Sequence, residues 1–159
     1  MSKFCPECGT GLTRQVVDSE ERSACAKQDC QYVLWNNPTP VVAMIVETSE
    51  GIVFARNVQW PRHFYSVITG FLEAGEEPAD CAVRETKEEL GLDASRCSLV
   101  GVCSFAQQNQ VIIGYHLHAE GKITLNEELD DYRFMQREEI RPWDMGTGLI
   151  LQQWLQQSV

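Results

Sequence analysis

Residues 70–92 read GFLEAGEEPADCAVRETKEELGL, and the second half of that stretch is laid out as a helix with one charged side. Ala79, Ala82, Val83, Thr86 and Leu90 recur at helical spacing and form one apolar stripe, which predicts a helix over residues 77–90. Pro78 fits in a first turn, Glu76 and Glu77 suit the positive end of the backbone dipole, and Gly91 is a natural stop. At about 100° per residue, Glu85, Glu88 and Glu89 share an arc of about 100°. Three carboxylates that close repel one another, and like charges four residues apart destabilise a helix. A hard divalent cation relieves the repulsion, and carboxylate oxygens are the ligands Mg2+ prefers. Arg84 stands four residues before Glu88 and can brace part of the cluster. The competing reading is a solvated acidic face, which is what a run of charge usually means.

Outward from the helix, the pattern alternates between strands and helices. Val41–Val46 is a continuous apolar run with β-branched residues, read as a buried strand, and Gly51–Arg56 reads as its hairpin partner. Phe64–Ile68 is a short extended segment leading into Gly70. After the helix, Ser98–Ala106 and Val111–Ala119 read as paired strands around a Gln/Asn turn. In the second of these, Val111, Ile113, Tyr115, Leu117 and Ala119 alternate onto one face. His116 and His118 share the opposite face; a metal pair is one reading, structural or solvent-facing histidines the commoner one. Tyr132–Met135 reads as a short strand and Thr147–Gln157 as a closing amphipathic helix. Strands flanked by helices imply a layered α/β domain.

Length and charge bound the rest. A chain of 159 residues holds one ordinary domain and a short appendage. Its 43% hydrophobic and 23% charged residues are the balance of a water-soluble protein, and nothing resembles a membrane span or signal peptide, so a cytoplasmic location and no membrane partner are expected. A net charge of −10 makes duplex nucleic acid an unlikely partner. The same charge is compatible with an anionic phosphate substrate if divalent cations stand between carboxylate and phosphate.

Of seven cysteines, Cys5, Cys8, Cys25 and Cys30 cluster, while Cys81, Cys97 and Cys103 lie scattered in apolar stretches as small core residues. Cys5-Pro6-Glu7-Cys8-Gly9 has the form of a zinc knuckle, and Cys25 and Cys30 supply a second pair within the accepted gap. Four thiolates close a tetrahedral shell, so this Zn2+ is expected to be structural, stapling a module over residues 1–35 that has little core of its own. Lys3, Arg14, Arg22 and Lys27 are outweighed there by acidic residues, which disfavours a ribbon that tracks phosphates; support for a dimer or a substrate pocket is the better reading. Asn36-Asn37-Pro38-Thr39-Pro40 follows as a stiff connector.

The spacing over Gly70–Leu92 matches the Nudix box, Gly-x5-Glu-x7-Arg-Glu-U-x-Glu-Glu-x-Gly-U, with Thr86 at an aliphatic position as its one departure. Residues 38–157 therefore resemble the Nudix hydrolase superfamily. That resemblance implies an α/β/α sandwich with a mixed sheet over residues 36–159, preceded by the small zinc ribbon of residues 1–35. It further implies catalytic Mg2+ (or Mn2+) bound by Glu85, Glu88 and Glu89 with the Gly70 carbonyl, Glu76 supporting the loop or an outer metal, and Arg84 orienting the glutamates. Glu128, ahead of Glu127, lines up with the additional carboxylate that relatives take from a later loop. Phe64, Tyr65 and Phe105, which flank the box, are the candidate substrate-stacking residues, with core packing as their commoner use.

The activity so implied is cleavage of the diphosphate in a nucleoside diphosphate linked to another moiety, of the FAD, ADP-ribose or NADH type. A homodimer is the assembly the resemblance suggests. NADH pyrophosphatases carry a proline-rich signature after the box, where this chain reads Ser104-Phe105-Ala106-Gln107-Gln108-Asn109-Gln110. The run from Trp35-Asn36-Asn37-Pro38 onward resembles the FAD or ADP-ribose group more closely. A different class, a nucleotide-sensing Nudix module without catalysis, would be expected to have lost box glutamates; this chain keeps them.

Overall fold

The computed structural model describes residues 3–157 and divides into two compact units, residues 1–37 and 38–159. The first unit is a small antiparallel sheet of β1 (Leu12–Val17), β2 (Glu20–Cys25) and β3 (Val33–Leu34), in that order. Asp18 and Ser19 both take positive φ between β1 and β2, the two-residue turn whose twist matches a hairpin. Only Cys5, Ala24 and Cys25 are buried hydrophobics among its described residues. A hairpin with so little apolar content carries no alternation to read, so its strands were not legible in the sequence.

The second unit is built on β4 (Thr39–Thr48), whose residues Val41–Val46 are all buried. Both faces of β4 are covered, which is why it reads as a continuous apolar run rather than an alternating one. Val42, Met44 and Val46 pack with Cys81, Ala82 and Leu90 of α1 (Pro78–Leu90). Val41, Ala43 and Ile45 pack with Ile150, Leu151 and Trp154 of α2 (Thr147–Gln156). The result is an α/β/α sandwich.

The sheet runs in the order β7-β8-β4-β5-β9, with β5 (Gly51–Asn57), β7 (Asp93–Phe105), β8 (Gln110–Glu120) and β9 (Leu129–Met135). A sixth strand, β6 (Ile68–Phe71), pairs antiparallel with β4. The β4–β8 pair is parallel and the other ladders antiparallel, so the sheet is mixed.

Phe64–Ile68 leads into β6, which begins at Ile68, with one bridge from Ser66 to Ala55. Two expectations need correction. β7 begins at Asp93, five positions before the expected Ser98, and its register slips between Ala94 and Arg96. On α1, Val83 is exposed while Cys81 and Glu89 are buried, so the inward stripe lies one step round from the one expected and takes in a carboxylate. Cys81 is fully buried and burial pushes its thiol up to about 12; Cys97 and Cys103 are half-buried with their thiols raised for the same reason. No helix among the described residues is long and apolar enough to cross a membrane.

Candidate active site

The loop from β6 to α1 folds back on the helix through one arginine. Arg84 donates from Nε and Nη2 to the two oxygens of Glu76 at 2.7 and 3.0 Å, and from Nη1 to Glu85 at 2.8 Å and Glu88 at 3.1 Å. Its Nη2 also reaches the Phe71 carbonyl at 3.4 Å. The backbone N–H of Glu73 donates to Glu76 at 3.1 Å, so Glu76 is engaged at both oxygens and ties the loop down. These bonds hold the Glu76 carboxyl down at about 2 and raise the Arg84 guanidinium further. Gly91 ends α1 in the left-handed conformation at φ 72°, its N–H bonded to the Lys87 carbonyl.

A cavity of about 360 Å³ opens beside this clasp, and Gly70, Glu73, Glu85, Glu89 and Glu128 share its wall with Trp60. Glu88 is more than half exposed and stands outside that lining, on Arg84. Glu76 is also outside it. Among the described residues no hydrogen bond or ion pair reaches the Glu89 carboxylate, although the residue is only 7% exposed. Burial, then the charges of Glu85, Glu128 and Glu88, raise its carboxyl to about 8. Burial likewise raises Glu85, against the opposing pull of Arg84. A buried, unpartnered carboxylate facing two others is a costly arrangement for a protein alone. An oxygen-seeking divalent cation fits it, since its charge offsets both burial and repulsion.

Gly70 is required by this packing, because a Cβ built there would fall within the Glu85 side chain. Gly70→Ala is expected to displace Glu85 and lower kcat by about a hundredfold, the cost of misplacing a reacting group by about 1 Å. Steady-state turnover beside a thermal melt checks this; an alanine variant that turns over like the parent would show that Glu85 need not sit where it does.

The three aromatic candidates separate. Phe105 lines an apolar cavity of about 240 Å³ with Val41, Phe71, Trp143 and Met145, which shares Thr69, Gly70 and Phe71 with the carboxylate cavity. Phe64 lies between Trp60 and Trp143, with ring centroids 5.1 and 5.7 Å away. Tyr65 lies on neither cavity. Its hydroxyl donates to Asp131 and accepts from Arg56, and the Arg133 guanidinium lies 3.5 Å over its ring. Its surroundings are those of a structural tie between β5 and β9. Trp60, Trp143 and Glu73 were missed in the sequence. The only signal was a pair of tryptophans in otherwise polar connecting segments.

In the first unit, one ligand atom from each of Cys5, Cys8, Cys25 and Cys30 lies within 4.8 Å of all the others. The Sγ atoms of Cys5 and Cys30 are 3.7 Å apart and those of Cys8 and Cys25 3.5 Å. Tetrahedral Zn–S bonds of about 2.3 Å place sulfurs about 3.8 Å apart, so the set fits Zn2+.

The family model of the NUDIX domain matches residues 37–153. The chain belongs to the Nudix family. A second model, described as Nudix N-terminal, matches residues 3–35. Among curated Nudix relatives, a protein named NAD-capped RNA hydrolase NudC from Pseudomonas putida (strain W619) is 27% identical over 92% of this chain and 52% of its own length. One of the same name from Pseudomonas aeruginosa (strain LESB58) is 27% identical over 89% of this chain and 50% of its own. The chain thus spans about half the length of the curated relatives it matches. Among solved structures, a NUDIX hydrolase from Nitrosomonas europaea superposes with a TM-score of 0.79 at 24% identity, covering 97% of this chain and 89% of that one. An ADP-ribose pyrophosphatase from Streptococcus suis 89-1591 gives 0.61 at 18% identity, covering 75% and 90%. At these identities the structures speak for the Nudix fold alone.

Proposed function

We propose that this chain is a Mg2+-dependent pyrophosphohydrolase that splits the diphosphate of a nucleoside diphosphate linked to a second moiety, releasing a nucleoside monophosphate and a phosphorylated remainder. The observation that carries the reading is the convergence of Glu85, Glu89 and Glu128 on one cavity, with the buried Glu89 carboxylate left without a hydrogen-bond partner among the described residues. Glu85 and Glu89 would hold the metal with the Gly70 carbonyl, and Glu88 from the rim. A Mg2+ held there would supply charge to offset the diphosphate and the leaving phosphate and would lower the pKa of a water. Arg84 keeps Glu85 and Glu88 at fixed positions while Glu76 anchors Arg84. Glu128, on the same cavity from the segment before β9, is assigned the proton of the attacking water. The apolar cavity at Phe71, Phe105 and Trp143 adjoins the carboxylates and suits the flat, apolar part of a substrate.

FAD, ADP-ribose, NADH and an NAD-capped RNA all contain the required linkage. The names of the curated relatives favour the last, and the sequence at Ser104–Gln110, without a proline-rich array, favours the first two over NADH. Incubating the full chain with each of these in Mg2+ and scoring monophosphate release ranks them. Release from at least one, abolished by chelating the divalent ion, is the expected result. Tight nucleotide binding by calorimetry with no turnover in Mg2+ or Mn2+ would replace the enzyme with a nucleotide-sensing module.

The first unit is proposed to hold structural Zn2+ through its four cysteines, with no open coordination position for catalysis.

A further inference from the structure

A second constellation lies on the α2 face of the sheet, about 16 Å further along β4 from the position that pairs with Gly70. Glu47 on β4 and His116 and His118 on β8 project there together, because the parallel ladder sets Ile45 opposite His116 and Glu47 opposite His118. One ligand atom from each of the three lies within 4.8 Å of the other two. His116 Nε2 is 2.7 Å from Glu47 Oε2, and His118 Nδ1 is 3.8 Å from the same oxygen.

The geometry points to a transition-metal site at Glu47, His116 and His118 that takes a divalent ion of the Zn2+ class, separate from both the carboxylate cavity and the four cysteines. Tetrahedral bonds of about 2.0–2.1 Å set ligand atoms about 3.3 Å apart, a spacing that the two observed separations bracket. Without metal, one hydrogen bond joins His116 Nε2 to Glu47; on binding, the ion takes the place of that bond at Nε2, and the neutral ring carries its single N–H at Nδ1. Two imidazoles and one carboxylate select zinc, cobalt, nickel or copper over Mg2+ and Ca2+.

The ligands are held in advance. Their backbones sit in paired strands, and the His116 ring packs against Trp154 and His118, with centroids 5.3 and 4.8 Å away. A cavity of about 330 Å³, lined by the three residues with Gln136, Arg137 and Trp154, gives an ion access and leaves room for water as the remaining ligand. Arg137, the nearby cation, is otherwise engaged. It donates to the carbonyls of Trp154, Leu155 and Gln157 at 2.9, 3.2 and 3.0 Å and lies 4.0 Å over the Trp154 ring.

The test is a Zn2+ titration of the full chain, its cysteine cluster already loaded and Mg2+ saturating, against a chromophoric chelator, with metal content measured by elemental analysis. One further equivalent of Zn2+ is expected. His118→Ala and Glu47→Gln should each weaken it by about tenfold or more, and Glu89→Gln should leave it unchanged. His118 is about half exposed, so its alanine variant spares the core. As a second readout, Zn2+ should shift the imidazole resonances of His116 and His118 in the parent protein and leave those of His63 in place. Zinc content that stops at the cysteine-bound equivalent overturns the proposal. So does unchanged affinity in His118→Ala, or a shift confined to His63.

Discussion

Replacing Glu89 with glutamine is expected to cut turnover by about 10²–10³-fold while making the metal-free protein more stable at alkaline pH. The two effects have one origin. In the metal-free fold the Glu89 carboxyl titrates at about 8, against an ordinary value of 4.5. Between those two values the native state holds a proton that the unfolded chain has released. Stability is therefore fully present below about 4.5, falls as pH rises toward about 8, and then levels off. Glutamine carries no such titration, so the variant should melt above the parent at pH 8 and alongside it near pH 5. Adding Mg2+ should reverse the order, because the ion binds the deprotonated carboxylate and stabilises only the parent. Melting curves of both proteins across that pH range, with and without Mg2+, read each step. A parent whose melting temperature does not move with pH, or a glutamine variant of undiminished turnover, would remove Glu89 from the centre of the site.

The second large effect is expected from zinc. The first unit buries only three small side chains among its described residues, two of them cysteines of the cluster, so apolar burial cannot hold it. Zinc on four thiolates contributes on the order of 10 kcal/mol to such a module. Chelation, or Cys30→Ser, should therefore unfold residues 3–35 while leaving the α/β/α unit intact. Backbone amide resonances check this: those of β1 and β2 should collapse into the unfolded range, and those of Val42 to Val46 should keep their dispersion. Retention of the β1–β2 resonances after zinc is removed would mean that the hairpin holds itself.

What the sequence showed and what it hid divide along physical lines. The layered α/β architecture was legible because β4 is apolar on both faces and α1 carries its own start and stop signals, while the α/β/α sandwich was what the Nudix resemblance implied. The carboxylates were legible as a spacing, and their inequality was overlooked. On a helical wheel Glu89 stands about 20° from Ala82 and Glu88 about 120° from it, and the packing of α1 on the sheet buries the first and leaves the second in solvent. Strand ends were misjudged where backbone pairing continues past the apolar pattern. Asp93–Arg96 pairs with His118–Glu120 although its side chains give no alternation. In β9, Asp130 and Asp131 hide the strand start because they face Arg56 of β5. Tyr65 and Phe105 flank the box equally in sequence, and only the partners that Arg56, Arg133 and Asp131 provide explain why Tyr65 turns elsewhere.

The parallel ladder between β4 and β8 has a consequence for how the molecule is made. Val42 lies beside Ile113, so the centre of the sheet joins segments separated by β5, β6, α1 and β7. Neighbours so distant along the polypeptide exact a loop-closure entropy before any contact rewards it, which makes refolding slower than that of helical bundles. During synthesis β5, β6 and α1 can cover part of β4, but its edge toward β8 and the face that α2 covers stay bare until those later segments leave the ribosome.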